Sequence, residues 1–236
     1  MKEPIFITGC ARSGTSMVAG AINKCGAWGG NMRGPNRNNE RGMFENIGIV
    51  QGLVKPYLRQ LNVDPMCQYP LPDINGMAIP SDWRQKVIDS ISKEGYTDGP
   101  WMYKGAKMCL MWPIWHYAFP RAKWIIVRRR AGDIATSCCK TNFMRAFNDR
   151  TSEGKKNIKA VGAKTEREGW LWWHEQHILR FREMQDNGLN IKVVWPGRMV
   201  IGQYEEMMDT IEWLGLKWNS EVLNFIDPKL WKSRKR

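Results

Sequence analysis

With 236 residues, 43% of them hydrophobic and 25% charged, the chain is long enough for one large domain or two small ones and too apolar to be disordered. Its 36 Lys and Arg against 23 Asp and Glu leave a net charge of +13, which predicts an anionic partner: nucleic acid, a membrane surface, or a phosphorylated or sulfated small molecule. No apolar run approaches the roughly 18 residues of a membrane span, and the opening MKEPIFITG enters a strand-like run at once, which predicts a cytoplasmic protein without a secretory leader.

In chain order, PIFIT (residues 4–8) reads as a short buried strand, followed by a Gly-rich turn and an apolar helix from about Thr15 to Cys25. The Gly/Asn/Arg-rich stretch GGNMRGPNRNNERGMFEN reads as a loop. Ile49, Val50, Leu53, Val54, Tyr57, Leu58 and Leu61 recur at helical spacing, which predicts a helix over 47–61. Pro65, Pro70, Pro72 and Pro80 mark an irregular connection, and Ser81 has the character of an N-cap for a helix through about Glu94. WMYK and KWIIV are two further short strands, separated by a segment around Leu110 to Tyr117, and ATSCCKTNFMRAF is a helix after RRRAGD. The polar, Lys-rich residues 148–164 read as a mobile loop. A long helix over 164–187 stops at Gly188, where a C-cap glycine belongs. IKVVW is a fourth strand, and two helices precede the basic tail KSRKR.

Strands alternating with helices predict an α/β fold: a three-layer arrangement in which a parallel sheet is flanked by helices on both faces. With neither repeat nor low-complexity linker, residues 1–236 read as a single domain. The six cysteines (Cys10, Cys25, Cys67, Cys109, Cys138 and Cys139) form no CxxC pair, so they read as reduced, mostly buried thiols with neither disulfide nor zinc framework. The thirteen tryptophans read as core and pocket walls.

The segment FITGCARSGTS carries the most chemistry. A strand, a turn with Gly9 and Gly14, and a helix starting near Thr15 aim backbone N–H groups and a helix N-terminus at one point, which suits a phosphate or sulfate oxygen. Arg12, Ser13, Thr15 and Ser16 add a cation and hydroxyls, and set the loop apart from a plain Gly-rich turn. The spacing nearly satisfies the triphosphatase loop GxxxxGK[ST], but Thr15 stands at the lysine position and the cation is displaced to Arg12. The strand KWIIV ends in Arg128, Arg129 and Arg130, which prepare a site for an anion and oppose Mg²⁺. These features predict a site without metal and weigh against an ATP- or GTP-hydrolysing protein.

FITGCARSGTS followed by VRRRAGDIATS resembles the sulfotransferases that use 3′-phosphoadenosine 5′-phosphosulfate (PAPS) and release adenosine 3′,5′-bisphosphate (PAP). The resemblance extends to NNERGMFEN, WMYKGAK, REGWLWWHEQH and TIEWLGL, and covers nearly the whole chain. It implies a P-loop triphosphatase-like architecture of the bacterial sulfotransferase type. The first motif implies that Arg12, Ser13, Gly14, Thr15 and Ser16 hold the 5′-phosphosulfate. The second implies that Arg129 and Ser137 hold the 3′-phosphate, with Asp133 at a position where the family often has Asp. Lys104 matches the lysine of a KDP-type motif, although Gly105 and Ala106 replace its Asp and Pro, and Lys107 is a nearby substitute. Met17 stands where cytosolic sulfotransferases often place an adenine-stacking Trp.

Sulfuryl transfer needs an in-line nucleophile, charge stabilisation on the departing phosphate, and a base for the acceptor. Arg12 and Lys104 are the expected charge stabilisers. Glu45, matching the Glu of a GYFE-like segment, is the expected base, with a pKa raised by its neighbours Met43 and Phe44. Capping of the following helix is the alternative role for Glu45, and His116 is the alternative base. His174 and His177 share a helix face but lack a partner for a metal, and read as packing or solvent residues. The expected acceptor is a small molecule or glycan with a hydroxyl or amine, entering between the 29–46 and 146–164 loops. Rival readings are a P-loop small-molecule kinase using ATP and a basic nucleic-acid-binding protein.

Overall fold

The computed structural model describes residues 2–231; the tail KSRKR lies outside the described residues. Four strands form one sheet: β1 (Ile5–Gly9), β2 (Met102–Lys104), β3 (Lys123–Val127) and β4 (Ile191–Val194). Their order is β2-β1-β3-β4 and every pair is parallel. In register, Phe6 faces Trp124 and Ile7 faces Ile125, so alternate side chains feed two different cores. On one face Phe6 lies edge-on to Trp115, Phe119 and Trp124, with ring centroids 5.3, 5.7 and 4.7 Å away. Such ring pairs contribute about 0.5–1.5 kcal/mol each beyond the area they bury. On the other face Ile5, Ile7, Ile125 and Val127 pack with aliphatic side chains. A sheet buried on both sides explains why IFITG and KWIIV are almost continuously apolar.

The aliphatic face is covered by α1 (Thr15–Lys24), and further along the chain by α9 (Gly197–Val200), α10 (Glu205–Leu214) and α11 (Glu221–Phe225). The aromatic face is covered by α2 (Ile47–Ile49), a π-helical turn at Val50–Val54, α3 (Lys55–Gln60), α4 (Trp83–Lys93) and α5 (Trp112–Ala118). Three layers result. The expected helix over 47–61 is present, widened at its centre by the π turn. The expected N-cap at Ser81 is displaced to Asp82.

Beyond β3 come α6 (Ala131–Cys139), α7 (Ser152–Ala160) and α8 (Glu166–Asp186). The helix expected over ATSCCKTNFMRAF starts earlier, at Ala131, and ends at Cys139. Residues 148–164 are not the expected loop, because α7 occupies their centre. Thr151 caps it by accepting a hydrogen bond from the Gly154 amide, and Asn157 Nδ2 donates to the Ala146 carbonyl at 2.8 Å. No helix among the described residues is long and apolar enough to cross a membrane.

Candidate active site

The sheet order reverses between β1 and β3, and open parallel sheets bind ligands at such a point, beyond the carboxyl ends of the strands. Both motifs expected to bind anions start there: the loop after β1 and the arginines after β3. A cleft of about 420 Å³ opens at this place, lined by Arg12, Gly14, Thr15, Ser16, Arg129 and Ser137 among others.

The turn after β1 is tight. Gly9 lies so close to β3 that a Cβ there would stand 2.6 Å from the Val127 carbonyl oxygen. Gly14 has a left-handed φ of 99°, and a Cβ would meet Pro196 and Trp231 within 3 Å. In α1 the amides of Met17 and Val18 both donate to the Gly14 carbonyl. The amides of Gly14, Thr15 and Ser16 precede the first intrahelical bonds and are left for an outside acceptor. Ser13 is placed differently from its neighbours. Its side chain is buried beneath Gly9, its amide donates to the Cys10 carbonyl, and it does not line the cleft. It shapes the turn.

Arg12 adopts a left-handed φ of 72°, which turns its side chain across the cleft. Its Nε donates to Ser137 Oγ at 3.0 Å and its Nη1 to the Asn38 carbonyl at 3.3 Å. Its own carbonyl accepts from Arg129 Nη1 at 3.0 Å. Two hydrogen bonds therefore join motifs that are more than a hundred residues apart in the chain. Burial lowers the pKa of both arginines, and Arg12 has no carboxylate partner among the described residues. Asp133, in the first turn of α6, acts in the opposite direction on Arg129. Only Arg129 of the three consecutive arginines lines the cleft, with its guanidinium 4.2 Å from the Trp231 ring. Arg128 lies over Phe181 and Trp195, and Arg130 is exposed ahead of α6.

At the other end of the cleft Lys104 Nζ meets Glu45 Oε1 at 3.0 Å, with side chains 4% and 13% exposed. Thr8 fixes the KGAK turn by donating to the Gly105 carbonyl and accepting from the Cys109 amide. The loop before α2 doubles back so that the Arg33 amide donates to the Glu45 carbonyl. Asn46, not Glu45, caps α2, accepting from the Ile49 amide and donating to Glu94. The expected rise in the Glu45 pKa is reversed. Burial pushes it up, but Lys104, Lys107 and Arg33 outweigh burial and hold it below the usual carboxylate value.

His116 does not reach the cleft, and its Nδ1 is buried without a hydrogen-bond partner among the described residues. His177 does line the cleft. It is 1% exposed, hydrogen-bonded through Nδ1 to the Trp173 carbonyl, and burial pulls its pKa down to about 4. Residues 37–43 of the expected entrance loop line the cleft, whereas residues 146–164 do not. Phe147 is fully buried against Trp170, which draws that segment onto α8. The opposite wall is instead Met66, Cys67, Gln68, Phe143 and Met144. Gln68 ties this wall together, donating to the Phe143 carbonyl and accepting from the amides of Arg145 and Ala146. Trp173, His177 and Trp231 were not legible as site residues, since only the tertiary return of α8 and of the C-terminal segment brings them there.

No family model and no curated protein sequence matches the chain. The solved structures that the chain is similar to include two sulfotransferases. The sulfotransferase STF9 from Mycobacterium avium shares 13% identity at a TM-score of 0.48, over 95% of this chain and 66% of its own. The sulfotransferase STF1 from Mycobacterium tuberculosis H37Rv shares 14% identity at a TM-score of 0.45, over 95% of this chain and 70% of its own. The chain thus spans about two thirds of the length of each structure it is similar to.

Proposed function

We infer that this chain, folded as one domain, is a PAPS-dependent sulfotransferase that moves a sulfuryl group to a hydroxyl or amine acceptor and releases PAP. The observation that carries this reading is the joining of the two anion motifs in one cleft by the 3.0 Å bond from Arg12 Nε to Ser137 Oγ. PAPS supplies the activated sulfuryl group; the protein binds it, excludes water and stabilises charge. A nucleotide with phosphates on both sides of its ribose needs amides and cations at two places within one pocket. The amides of Gly14, Thr15 and Ser16 serve the 5′ end, and Arg129 and Ser137 the 3′ end. Arg12 lies between them and neutralises charge at the boundary. Trp231 and Met17 line the same pocket and offer apolar surface to a purine.

Glu45, ionised and paired with Lys104, would accept a hydrogen bond from the acceptor's O–H or N–H. It would take up that proton as the acceptor atom bonds to sulfur and the bond from sulfur to the 5′-phosphate oxygen breaks, while Lys104 would offer positive charge to the departing phosphate oxygen. The ATP-kinase reading is disfavoured because Thr15, 4% exposed, occupies the position that a phosphate-binding lysine needs. A thermal-shift comparison of PAP, ATP with Mg²⁺, and a DNA oligomer tests the reading. A ligand at 100 times its Kd stabilises the native state by about 2.7 kcal/mol. PAP alone is expected to give such a shift. Stabilisation by ATP with Mg²⁺ or by DNA, without one by PAP, overturns the assignment.

A further inference from the structure

Charge is distributed unevenly around Glu45. Arg33 is bonded to it through the main chain, and Lys104 through the side chain. Lys107 lines the cleft one turn beyond Lys104. Lys55 opens α3 half-buried, and Arg59 follows it at the i+4 position on the same helix face. Four cations, Arg33, Lys55, Lys104 and Lys107, thus act on one carboxylate, and Arg59 adds a fifth beside Lys55. Among the described residues only Lys104 of the five has a carboxylate partner. Elsewhere in the cleft, Arg41 pairs with Asp227 at 3.7 Å, and Arg12, which has no carboxylate partner among the described residues, belongs to the end proposed for the nucleotide, so the surplus around Glu45 is one that the nucleotide does not meet.

Gathering like charges around a half-buried lysine is unfavourable unless something neutralises them. The repulsion registers on Lys55, whose pKa is lowered by burial and then by Lys107, Arg33 and Arg59. The cluster is separate from the phosphate loop and Arg129, which account for the two phosphates of the nucleotide. Of its members Lys107 lines the cleft, whereas Arg33, Lys55 and Arg59 lie outside the lining, Arg33 and Arg59 with exposed side chains. An acceptor held by it extends out of the cleft mouth.

We propose that Arg33, Lys55, Arg59 and Lys107 form an anion-recognition site for the acceptor, so that the acceptor already carries a negative group, carboxylate or sulfate, beside the hydroxyl or amine that reacts. This rests on the sulfotransferase reading, because it takes the Glu45 end of the cleft as the acceptor end.

The test uses the full chain saturated with PAP, so that added anions cannot occupy the nucleotide site. Three probes are titrated calorimetrically: trigalacturonate, a sulfated chondroitin disaccharide, and neutral maltotriose. At least one charged probe is expected to bind tenfold or more tighter than maltotriose, and the stronger of the two identifies carboxylate or sulfate as the group read. The Lys55→Glu/Arg59→Glu variant is expected to lose that preference at least tenfold while keeping wild-type affinity for PAP, which also reports that it folds. A control, Lys155→Glu/Lys156→Glu on the exposed side of α7, carries the same change in net charge and is expected to bind the probes as wild type does. Equal or absent binding of charged and neutral probes overturns the proposal, as does an equal loss in the control variant. Failure of the parent reading registers separately, as absence of PAP binding by the wild-type chain, and overturns both.

Discussion

The two ends of the cleft handle positive charge in opposite ways. At the end proposed for the nucleotide, Arg12 donates only to neutral oxygens, those of Ser137 and the Asn38 main chain, and Arg129 lies against the Trp231 ring. At the acceptor end, Lys104 is buried with a full carboxylate, that of Glu45. The first arrangement reserves charge for an anion that arrives from outside. The second neutralises the one cation that it buries, Lys104, and leaves Arg33, Lys55, Arg59 and Lys107 without a carboxylate partner among the described residues, so Glu45 is a structural necessity as well as a candidate site residue. Breaking a buried ion pair leaves a desolvated charge behind, whereas removing a cation that awaits a ligand leaves the fold intact.

The largest expected effect tests that asymmetry directly. Glu45→Ala should destabilise the fold by about 3–5 kcal/mol, because Lys104 stays buried without its partner. The double variant Glu45→Leu/Lys104→Met should recover most of that loss in denaturant unfolding. Equal destabilisation in the single and double variants would show that the pair is not what holds the acceptor end.

Acid should come next. The unfolded His177 imidazole takes up a proton below its ordinary value near 6.5, and the buried one only at about 4. Burial and Arg128 hold His174 at about 4 as well, so stability is complete above pH 6.5 and each of the two imidazoles removes up to about 1.4 kcal/mol per pH unit toward pH 4. Glu45, whose pKa is lowered in the fold, adds a further loss once pH drops below the ordinary carboxylate range. Melting temperatures across this range should show the slope, and His177→Phe should remove about half of its upper part, leaving the share of His174.

Arg12 should show the reverse pattern to Glu45. Arg12→Gly relieves a left-handed backbone and should leave stability unchanged or raised by up to about 1 kcal/mol. It should weaken PAP binding at least tenfold, as loss of a charge-assisted hydrogen bond worth about 1.5–3 kcal/mol implies. A variant that binds PAP as tightly as wild type would remove Arg12 from the nucleotide end. The smallest effect lies outside the cleft. Thr151→Ala removes the cap of α7 and should cost about 1 kcal/mol in unfolding, with PAP affinity unchanged.

The strands and the phosphate loop were legible in the sequence because they rest on local pattern: IFITG and KWIIV are apolar runs bounded by turn residues, and Gly9 and Gly14 mark the only backbone able to pass between them. The α7 helix was not legible. Its Lys-rich composition reads as solvated loop, and the signal that mattered was local, Thr151 placed three residues before Gly154. The choice among Arg128, Arg129 and Arg130 was also hidden. Successive side chains leave a strand end in opposite directions, and only the positions of Trp195 and Trp231 decide which guanidinium meets the cleft. The Glu45 pKa depends on Arg33, Lys104 and Lys107, brought together from two distant segments, so neighbours in sequence pointed the wrong way.

The π turn at Val50–Val54 sets the bearing of everything after it. It accommodates one residue more than an α-helix would, and each residue is worth about 100° of rotation. Lys55 and Arg59 owe their orientation to that single extra residue, in a segment that does not line the cleft at the phosphate loop. Gaining or losing it would swing both cations around the helix axis while sheet and phosphate loop stayed put, which on the proposed reading is an evolutionary dial for acceptor choice that leaves the donor site alone.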